Sequence, residues 1–340
     1  MFDFSIIKGR DILNILSADY NKIIDIVQEA YVLLEKGEVI NPNTYSLKFP
    51  QKPNSRINAL PAYVGGNINL AGMKWISSFP DNILSGVPRA SSVVILNDFA
   101  TGIPIACLEG SIISAARTAA SAVLGANVLR SFKQSSISFI GCGIISKYIF
   151  EFFLASGWKF TSINLYYVNH HYATSFRTYI SHSKKLHDVN IIIHGTYESA
   201  ILNSEIVTMA TTASEPYLKN PDILAHRPLI LNISLRDISP EIIYASNNVV
   251  DDTNHCLNAQ TSTHLAYLKY GNHDFIHSKI GQLIIDKSRL LNINKKQIIY
   301  SPFGMGMLDI AVAAYIYKEL DHGGKCLEIH DFFYEQSRWN

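Results

Sequence analysis

Residues 137–146 read Ile-Ser-Phe-Ile-Gly-Cys-Gly-Ile-Ile-Ser, an apolar run that meets a glycine-rich turn and continues into the helix-compatible Lys-Tyr-Ile-Phe-Glu-Phe-Phe. An apolar strand, Gly141-x-Gly143-x-x-Ser146 and a helix, in that order, form the context in which a dinucleotide pyrophosphate is held. Gly141 makes the tight turn, Gly143 lets the backbone approach phosphate, and a small third residue packs helix on strand. Amides at the start of the helix, in the stretch Cys142, Gly143, Ile144 and Ile145, then face the anion. About twenty residues upstream, Ser114-Ala-Ala-Arg-Thr-Ala-Ala120 sets Arg117 and Thr118 just before this unit, where they can meet cofactor or substrate.

The chain of 340 residues is long enough for two domains with their own cores. At 48% hydrophobic and 17% charged it reads as globular rather than disordered. A formal net charge of +1 gives no electrostatic case for a nucleic-acid partner. No uncharged apolar run reaches the ~18 residues that span a bilayer, so no membrane partner is expected. The N-terminal Met-Phe-Asp-Phe-Ser-Ile-Ile-Lys-Gly-Arg makes a poor signal peptide. Cys107, Cys142, Cys256 and Cys326 lack paired spacing and read as reduced thiols of a cytoplasmic protein.

Helical spacing covers 19–36, with Gly37 as the stop, and strand-like runs cover 56–64, 70–78 and 91–98. An Ala/Ser-rich helix at about 109–130 follows. From about 136, short apolar runs at 137–141, 163–167, 190–194, 205–210, 228–233 and 247–250 alternate with helical segments, as in a parallel sheet with helices on both faces. Residues 256–296 are polar and His-rich without a clear pattern. A strand-like 297–301 precedes a helix at 307–320, expected to pack back on the first domain. The fold class is therefore α/β. A Rossmann-type doubly wound parallel sheet over 126–304 joins a discontinuous α+β substrate and dimerisation domain made of 1–125 and 305–340.

Four cations sit among apolar residues in the first domain: Arg56, Lys74, Arg89 and Arg117. A buried cation costs several kcal/mol unless paired. Each taken alone is explained by a solvated face or by a salt bridge to Glu109 or Asp98. Together, beside a nucleotide fold, they favour a pocket for carboxylates, which arginine binds bidentately. Asp237, after the strand in Leu231-Asn-Ile-Ser-Leu-Arg-Asp, can act as general base or stabilise a cationic imine. Its structural alternative, a helix N-cap before Pro240, suits Ser239 better. Thr211 and Thr212 either bond the cofactor or form a turn. The second strand ends in Ile163-Asn-Leu-Tyr-Tyr-Val-Asn-His-His without an acid for a ribose 2′-hydroxyl or an arginine for a 2′-phosphate. Asn169 is the best polar substitute, so the choice between NAD and NADP is open on these residues. Neither the histidines nor the cysteines show metal-site spacing.

Gly72-Met-Lys-Trp-Ile-Ser-Ser-Phe-Pro-Asp-Asn82, Ala115-Ala-Arg-Thr-Ala-Ala120, Ile140-Gly-Cys-Gly143 and the Asp237 segment, in this order, resemble the ornithine cyclodeaminase/μ-crystallin family over about residues 50–320. Pro88-Arg-Ala-Ser-Ser-Val-Val-Ile-Leu-Asn-Asp98 and Ser301-Pro-Phe-Gly-Met-Gly-Met-Leu-Asp-Ile310 are similar to its 2,3-diaminopropionate biosynthesis dehydrogenases. That resemblance implies a homodimer that oxidises N-(2-amino-2-carboxyethyl)-L-glutamate with NAD and hydrolyses the imine. The products are 2,3-diaminopropionate, which feeds siderophores or peptide natural products, and 2-oxoglutarate. It implies that Arg56, Lys74 and Arg117 bind substrate carboxylates and that Asp237 moves protons, making Asp237 and Lys74 the candidate catalytic pair. Arg89 is assigned here to a further carboxylate. An ornithine cyclodeaminase, an imine reductase and a non-catalytic crystallin-like nucleotide binder are the alternatives. The sequence departs from the pattern at Ser146, where a third glycine is usual, and in the missing ribose acid.

Overall fold

The computed structural model describes residues 3–184, 186, 188–291, 293–321, 326–330 and 332–333; part of the 305–340 segment lies outside them. The chain divides into two compact units, Met1–Arg117 with Met305–Asn340, and Thr118–Gly304. The first division falls inside a helix, eight residues before the 125/126 boundary read from sequence.

The first unit opens with β1 (Phe4–Ile7), α1 (Gly9–Ala18) and α2 (Tyr20–Glu35), then β2 (Val39–Ile40) and β3 (Tyr45–Phe49). The long strands β4 (Lys52–Val64), β5 (Leu70–Ser78), β6 (Ala90–Asp98) and β7 (Pro104–Glu109) lead into α3 (Gly110–Leu129). Asp19 starts α2 by accepting from the amides of Asn21 and Lys22. Gly37, at φ +76°, ends it. The helix buries Ile23, Val27, Ala30 and Tyr31, which recur at helical spacing.

The second unit holds β8 (Gln134–Ile140), α4 (Ile144–Ala155), β9 (Lys159–Tyr166), α5 (His170–Ser181), β10 (Asn190–Ile193), α6 (Tyr197–Leu202), β11 (Ile206–Met209) and β12 (Leu229–Asn232). It continues through α7 (Pro240–Ala245), β13 (Asn247–Val250), α8 (Thr253–Cys256), α9 (Ser262–Tyr270), β14 (Ile276–Lys279), α10 (Ile280–Ile285) and β15 (Ile298–Ser301). The chain then returns to the first unit with α11 (Gly306–Asp321) and β16 (Leu327–Ile329).

The second unit's sheet runs β10-β9-β8-β11-β12-β15-β13-β14 with every pairing parallel. Its first five strands follow the doubly wound order 3-2-1-4-5, with the reversal between β8 and β11, and ligands bind at the carboxyl ends of strands at such a reversal. The central β11 and β12 are buried on both faces, which is why each reads as a continuous apolar run instead of an alternation. The stretch 256–296, patternless in sequence, contributes α9, α10 and β14. Ile-His-Ser-Lys makes only a four-residue edge strand, too short and polar to signal itself.

The first unit's sheet runs β16-β1-β7-β6-β5-β4-β2, with β3 also on β4. Its register sets Leu60, Lys74, Val94 and Leu108 in one cross-strand row. Val94 and Leu108 are wholly buried, so this row lies on a covered face of the sheet. Helix α11 packs on β4, β5, β6 and α2 and is buried along most of its length. Among the described residues only α3 is long and apolar enough to cross a membrane, and 67% of that stretch is buried within the fold, as in a core helix.

Gly125 in α3 is a close-approach glycine, since a Cβ there would stand 2.3 Å from the Tyr300 ring, whose hydroxyl bonds Ser121 at 2.9 Å. Alanine gains about 1 kcal/mol over glycine inside a helix, but overpacking of this kind costs about 1–3 kcal/mol. The clash wins because both helix and strand are fixed, so Gly125→Ala should lower the urea midpoint; an unchanged or raised midpoint would refute the close packing.

Candidate functional site

The glycine turn has the geometry its spacing implies. Gly141 sits at φ +97°, and a Cβ on it would lie 2.4 Å from the carbonyl oxygen of Ala210 at the end of β11. A side chain is excluded there by both backbone strain and collision. Gly143 is the N-cap of α4 without a side-chain cap, and open space surrounds the position its Cβ would take. The first amides of the twelve-residue α4 thus start at an uncapped, accessible backbone suited to an anion. Ser146 explains its departure from the usual glycine: fully buried, it donates to the Gly141 carbonyl at 2.5 Å and closes the turn. Ile144 is 60% exposed and Ile145 half-buried, whereas Cys142 is buried, its thiol pushed up to about 12 by desolvation. Cys142 is thus an inert filler of the turn.

The other residues read as cofactor contacts have specific neighbours. The side chain of Asn169 caps α5, accepting from the His171 amide at 3.1 Å. Thr118 lies half-buried in α3 and Thr212 is exposed after β11. The hydroxyl of Thr211 donates to Asp237 at 2.8 Å. Asn232, at the end of β12, is buried and donates to Ser301 at 3.0 Å, while its Oδ1 has no hydrogen-bond partner. An orphaned buried acceptor at the carboxyl edge of the sheet, together with the open Gly143 backbone, fits a dinucleotide with an amide-bearing ring.

Asp237 has no exposed surface. Its carboxylate accepts from Thr211, from the Tyr217 hydroxyl at 3.1 Å and from the Ser234 hydroxyl at 2.5 Å. Ser239, not Asp237, occupies the N-cap of α7. Burial raises the carboxyl above its ordinary range, and the three hydroxyl donors pull it back. Such a group can hold a proton nearer neutrality than an exposed aspartate. Tyr217 and Ser234 were not evident as partners from the sequence, because they converge on Asp237 from two loops.

In the first unit the four cations separate into two places. Lys74 and Arg117 meet around Asp309 of α11, with Lys74 Nζ at 2.6 Å from Oδ2 and Arg117 Nε at 3.2 Å from Oδ1. Ser114 accepts from both, at 3.2 Å from Nζ and 3.3 Å from Arg117 Nη2. The anion these buried cations require is therefore Asp309, and the expected partners serve elsewhere: Glu109 caps α3 through the amides of Ser111 and Ile112, and Asp98 binds Thr101. Arg56 lies opposite Ser78, which in turn lies opposite Ala90 beside Arg89. Arg56 and Arg89 thus share the other end of the sheet, four residues along β4 from the Lys74 row, or ~13 Å at 3.3 Å per residue. Asp309 went unassigned in the sequence, although an acid within the apolar helix 307–320 was the available signal. Among the described residues one group of metal-type ligands, Asp3, Glu328 and His330, is gathered, and all three are exposed.

The Lys74 ammonium is pushed down to about 8, first by burial and then by Arg117, with Asp309 acting the other way. An unfolded chain keeps that proton to about 10.5. Between those values the unfolded state binds more protons, so the stability contributed by Lys74 rises with pH, by at most about 1.4 kcal/mol per pH unit. Below pH 8 both states are protonated and the contribution is flat. Urea unfolding should show wild type gaining on Lys74→Met from pH 8 to 10; a constant difference would contradict the shift.

Comparison with known proteins agrees with this architecture. The family model described as "Ornithine cyclodeaminase/mu-crystallin family" matches residues 11–324. N-((2S)-2-amino-2-carboxyethyl)-L-glutamate dehydrogenase of Staphylococcus aureus is 30% identical over 87% of this chain and 89% of its own length. Delta(1)-pyrroline-2-carboxylate reductase of Bacillus thuringiensis is 24% identical over 89% of this chain and 93% of its own. The solved Thermococcus litoralis Delta(1)-pyrroline-2-carboxylate reductase, in complex with NADH and L-proline, superposes with a TM-score of 0.83 at 22% identity, covering 96% of this chain and all of that one. An archaeal alanine dehydrogenase dimer with bound NAD superposes with a TM-score of 0.81, also at 22% identity, over 97% of this chain and all of its own. With its glycine turn, its doubly wound sheet and a family match over nearly its whole length, this chain belongs to the ornithine cyclodeaminase/mu-crystallin family.

Proposed function

We propose that this chain is an NAD-dependent dehydrogenase that converts N-(2-amino-2-carboxyethyl)-L-glutamate and water to 2,3-diaminopropionate and 2-oxoglutarate, for siderophore or peptide natural-product synthesis. The observation that carries the reading is the 30% identity to the Staphylococcus aureus enzyme of that name over 87% of the chain. The cation inventory supports it. The substrate has three carboxylates, and the first unit presents two cationic places, Lys74 with Arg117 and Arg56 with Arg89.

Gly141, Gly143 and the first turn of α4 would hold the NAD pyrophosphate, and Thr118, Asn169, Thr211, Thr212 and Asn232 complete the proposed cofactor contacts. A bound nicotinamide supplies the hydride acceptor for the glutamyl Cα–H. Lys74, Arg117, Arg56 and Arg89 bind and orient carboxylates. The Asp237 carboxylate takes a proton from the water that adds to the C=N carbon and returns it to the departing amine nitrogen. Burial raises the proton affinity of that carboxyl above the usual carboxylate range, which favours its accepting the proton. The thiols of Cys107, Cys142, Cys256 and Cys326 are unpaired, which suits a cytoplasmic enzyme.

A homodimer is part of the proposal. Ala59, Trp75 and Val93 form one cross-strand row on the first unit's sheet, with Trp75 38% and Val93 37% exposed. Apolar rows of this kind mark interaction surfaces. Sedimentation should give a dimer for the wild type and a monomer for Trp75→Glu; a dimeric variant would place the interface elsewhere.

One observation favours a second reading, an imine reductase. Asp309 neutralises one of the two cations it binds, leaving the cluster a single net positive charge, which matches a substrate with one carboxylate. Absorbance of NADH separates the readings. Purified protein with N-(2-amino-2-carboxyethyl)-L-glutamate should reduce NAD, faster than NADP, and give no product from ornithine. Oxidation of NADH with Δ1-pyrroline-2-carboxylate, and no reduction of NAD with the first compound, would select the reductase. Asp237→Asn should lower NADH formation at least a hundredfold with nucleotide binding retained; an undiminished rate removes Asp237 from the mechanism.

A further inference from the structure

We propose that Asp309 is the positioning residue of the cationic cluster, one buried carboxylate that clamps Lys74 and Arg117 at a fixed spacing and presents them as a pair carrying one net charge. The role rests on the reading that this pair receives a substrate carboxylate. Asp309 stands in an otherwise apolar stretch of α11, between Leu308 and Ile310, and has no exposed surface. Its place in the first turn of α11 favours an acid, but a wholly buried one left unpaired would be costly.

The geometry shows what the acid does. Its two oxygens take one cation each, Oδ2 the Lys74 ammonium and Oδ1 the Arg117 guanidinium. Ser114, one turn before Arg117 on α3, bonds both cations as well. The four side chains close a ring of hydrogen bonds, so neither cation can rotate away without breaking two contacts. The groups that face Lys74 are Asp309 from α11 and Arg117 and Ser114 from α3, with apolar Leu60 and Val94 beside it in its row. Of the two charged groups, only Asp309 favours the charged ammonium, against burial and the Arg117 charge, which oppose it. Two cations held side by side in a buried place repel each other, and the shared carboxylate makes the arrangement tenable.

The test uses Asp309→Asn and Asp309→Glu in the full chain. The first readout is the pH titration of the Lys74 side chain by 13C-lysine NMR without ligand, its resonance identified by its loss in Lys74→Met. In Asp309→Asn the Lys74 midpoint should fall by at least one pH unit, a tenfold loss of proton affinity, while Asp309→Glu keeps it near wild type. The second readout is kinetic, with N-(2-amino-2-carboxyethyl)-L-glutamate as substrate. Both variants should raise KM tenfold or more with a smaller change in kcat, and only the Asn variant should move the basic limb of kcat/KM to lower pH. A Lys74 midpoint unchanged in Asp309→Asn, or wild-type KM in both variants, overturns the proposal. Should the Asn variant not fold, the Glu variant decides: a raised KM with an unmoved Lys74 midpoint supports the clamp, and a wild-type KM overturns it. Failure of the substrate reading looks different, since the wild type then shows no turnover of this compound while the NMR titration still reads the effect of Asp309.

Discussion

The buried contact of Lys74 and Arg117 with Asp309 is the interaction around which the first unit's candidate site is built. Removing two cations and an anion from water costs several kcal/mol per ion, and the attraction between them offsets that cost only when the remaining donors are also satisfied. Here Ser114 supplies the extra acceptor for both cations. Residues from a strand, a helix and the returning α11 must all be in place for the network to exist. The network therefore requires the discontinuity of this unit, because the carboxylate arrives 192 residues after one cation and 235 after the other.

The second unit solves a similar problem with neutral partners. Asp237 is as buried as Asp309, yet it is surrounded by three hydroxyls in place of cations. Hydroxyls stabilise a carboxylate less than a cation does, so Asp237 keeps a raised proton affinity. Asp309, paired twice with cations, fixes charge in position. The two aspartates thus differ in their surroundings, three hydroxyls around one and two cations on the other, and the roles proposed for them follow from that difference.

Much of the fold was legible because its signals are local. The glycine turn, the apolar strands β8, β9, β11 and β12, and the amphipathic α2 announce themselves through period and turn chemistry within a few residues of one another. β14 and the short helices around it did not, since Ser, Thr, Asn and His side chains there serve caps and edge positions that carry no hydrophobic period. The candidate site was half legible. Lys74 and Arg117 stood out as cations in apolar runs, and Asp237 by its place after a strand. Arg56 and Arg89 were equally visible, but the sheet register puts them together at a different end from Lys74.

The sequence by itself determined the glycine turn, the parallel order of apolar strands and the presence of buried cations that needed an anion, because each follows from local sterics or the cost of desolvation. Tertiary structure decided which anion that would be. Glu109 and Asp98 are nearer in sequence, but each is drawn to unsatisfied backbone amides at a helix start or turn. Asp309 also lies in the first turn of a helix, but its two oxygens go to Arg117 and Lys74, and the packing of α11 on β5 brings it to 2.6 Å from Lys74. Contact between groups more than two hundred residues apart is set by how layers pack, and no local pattern encodes it.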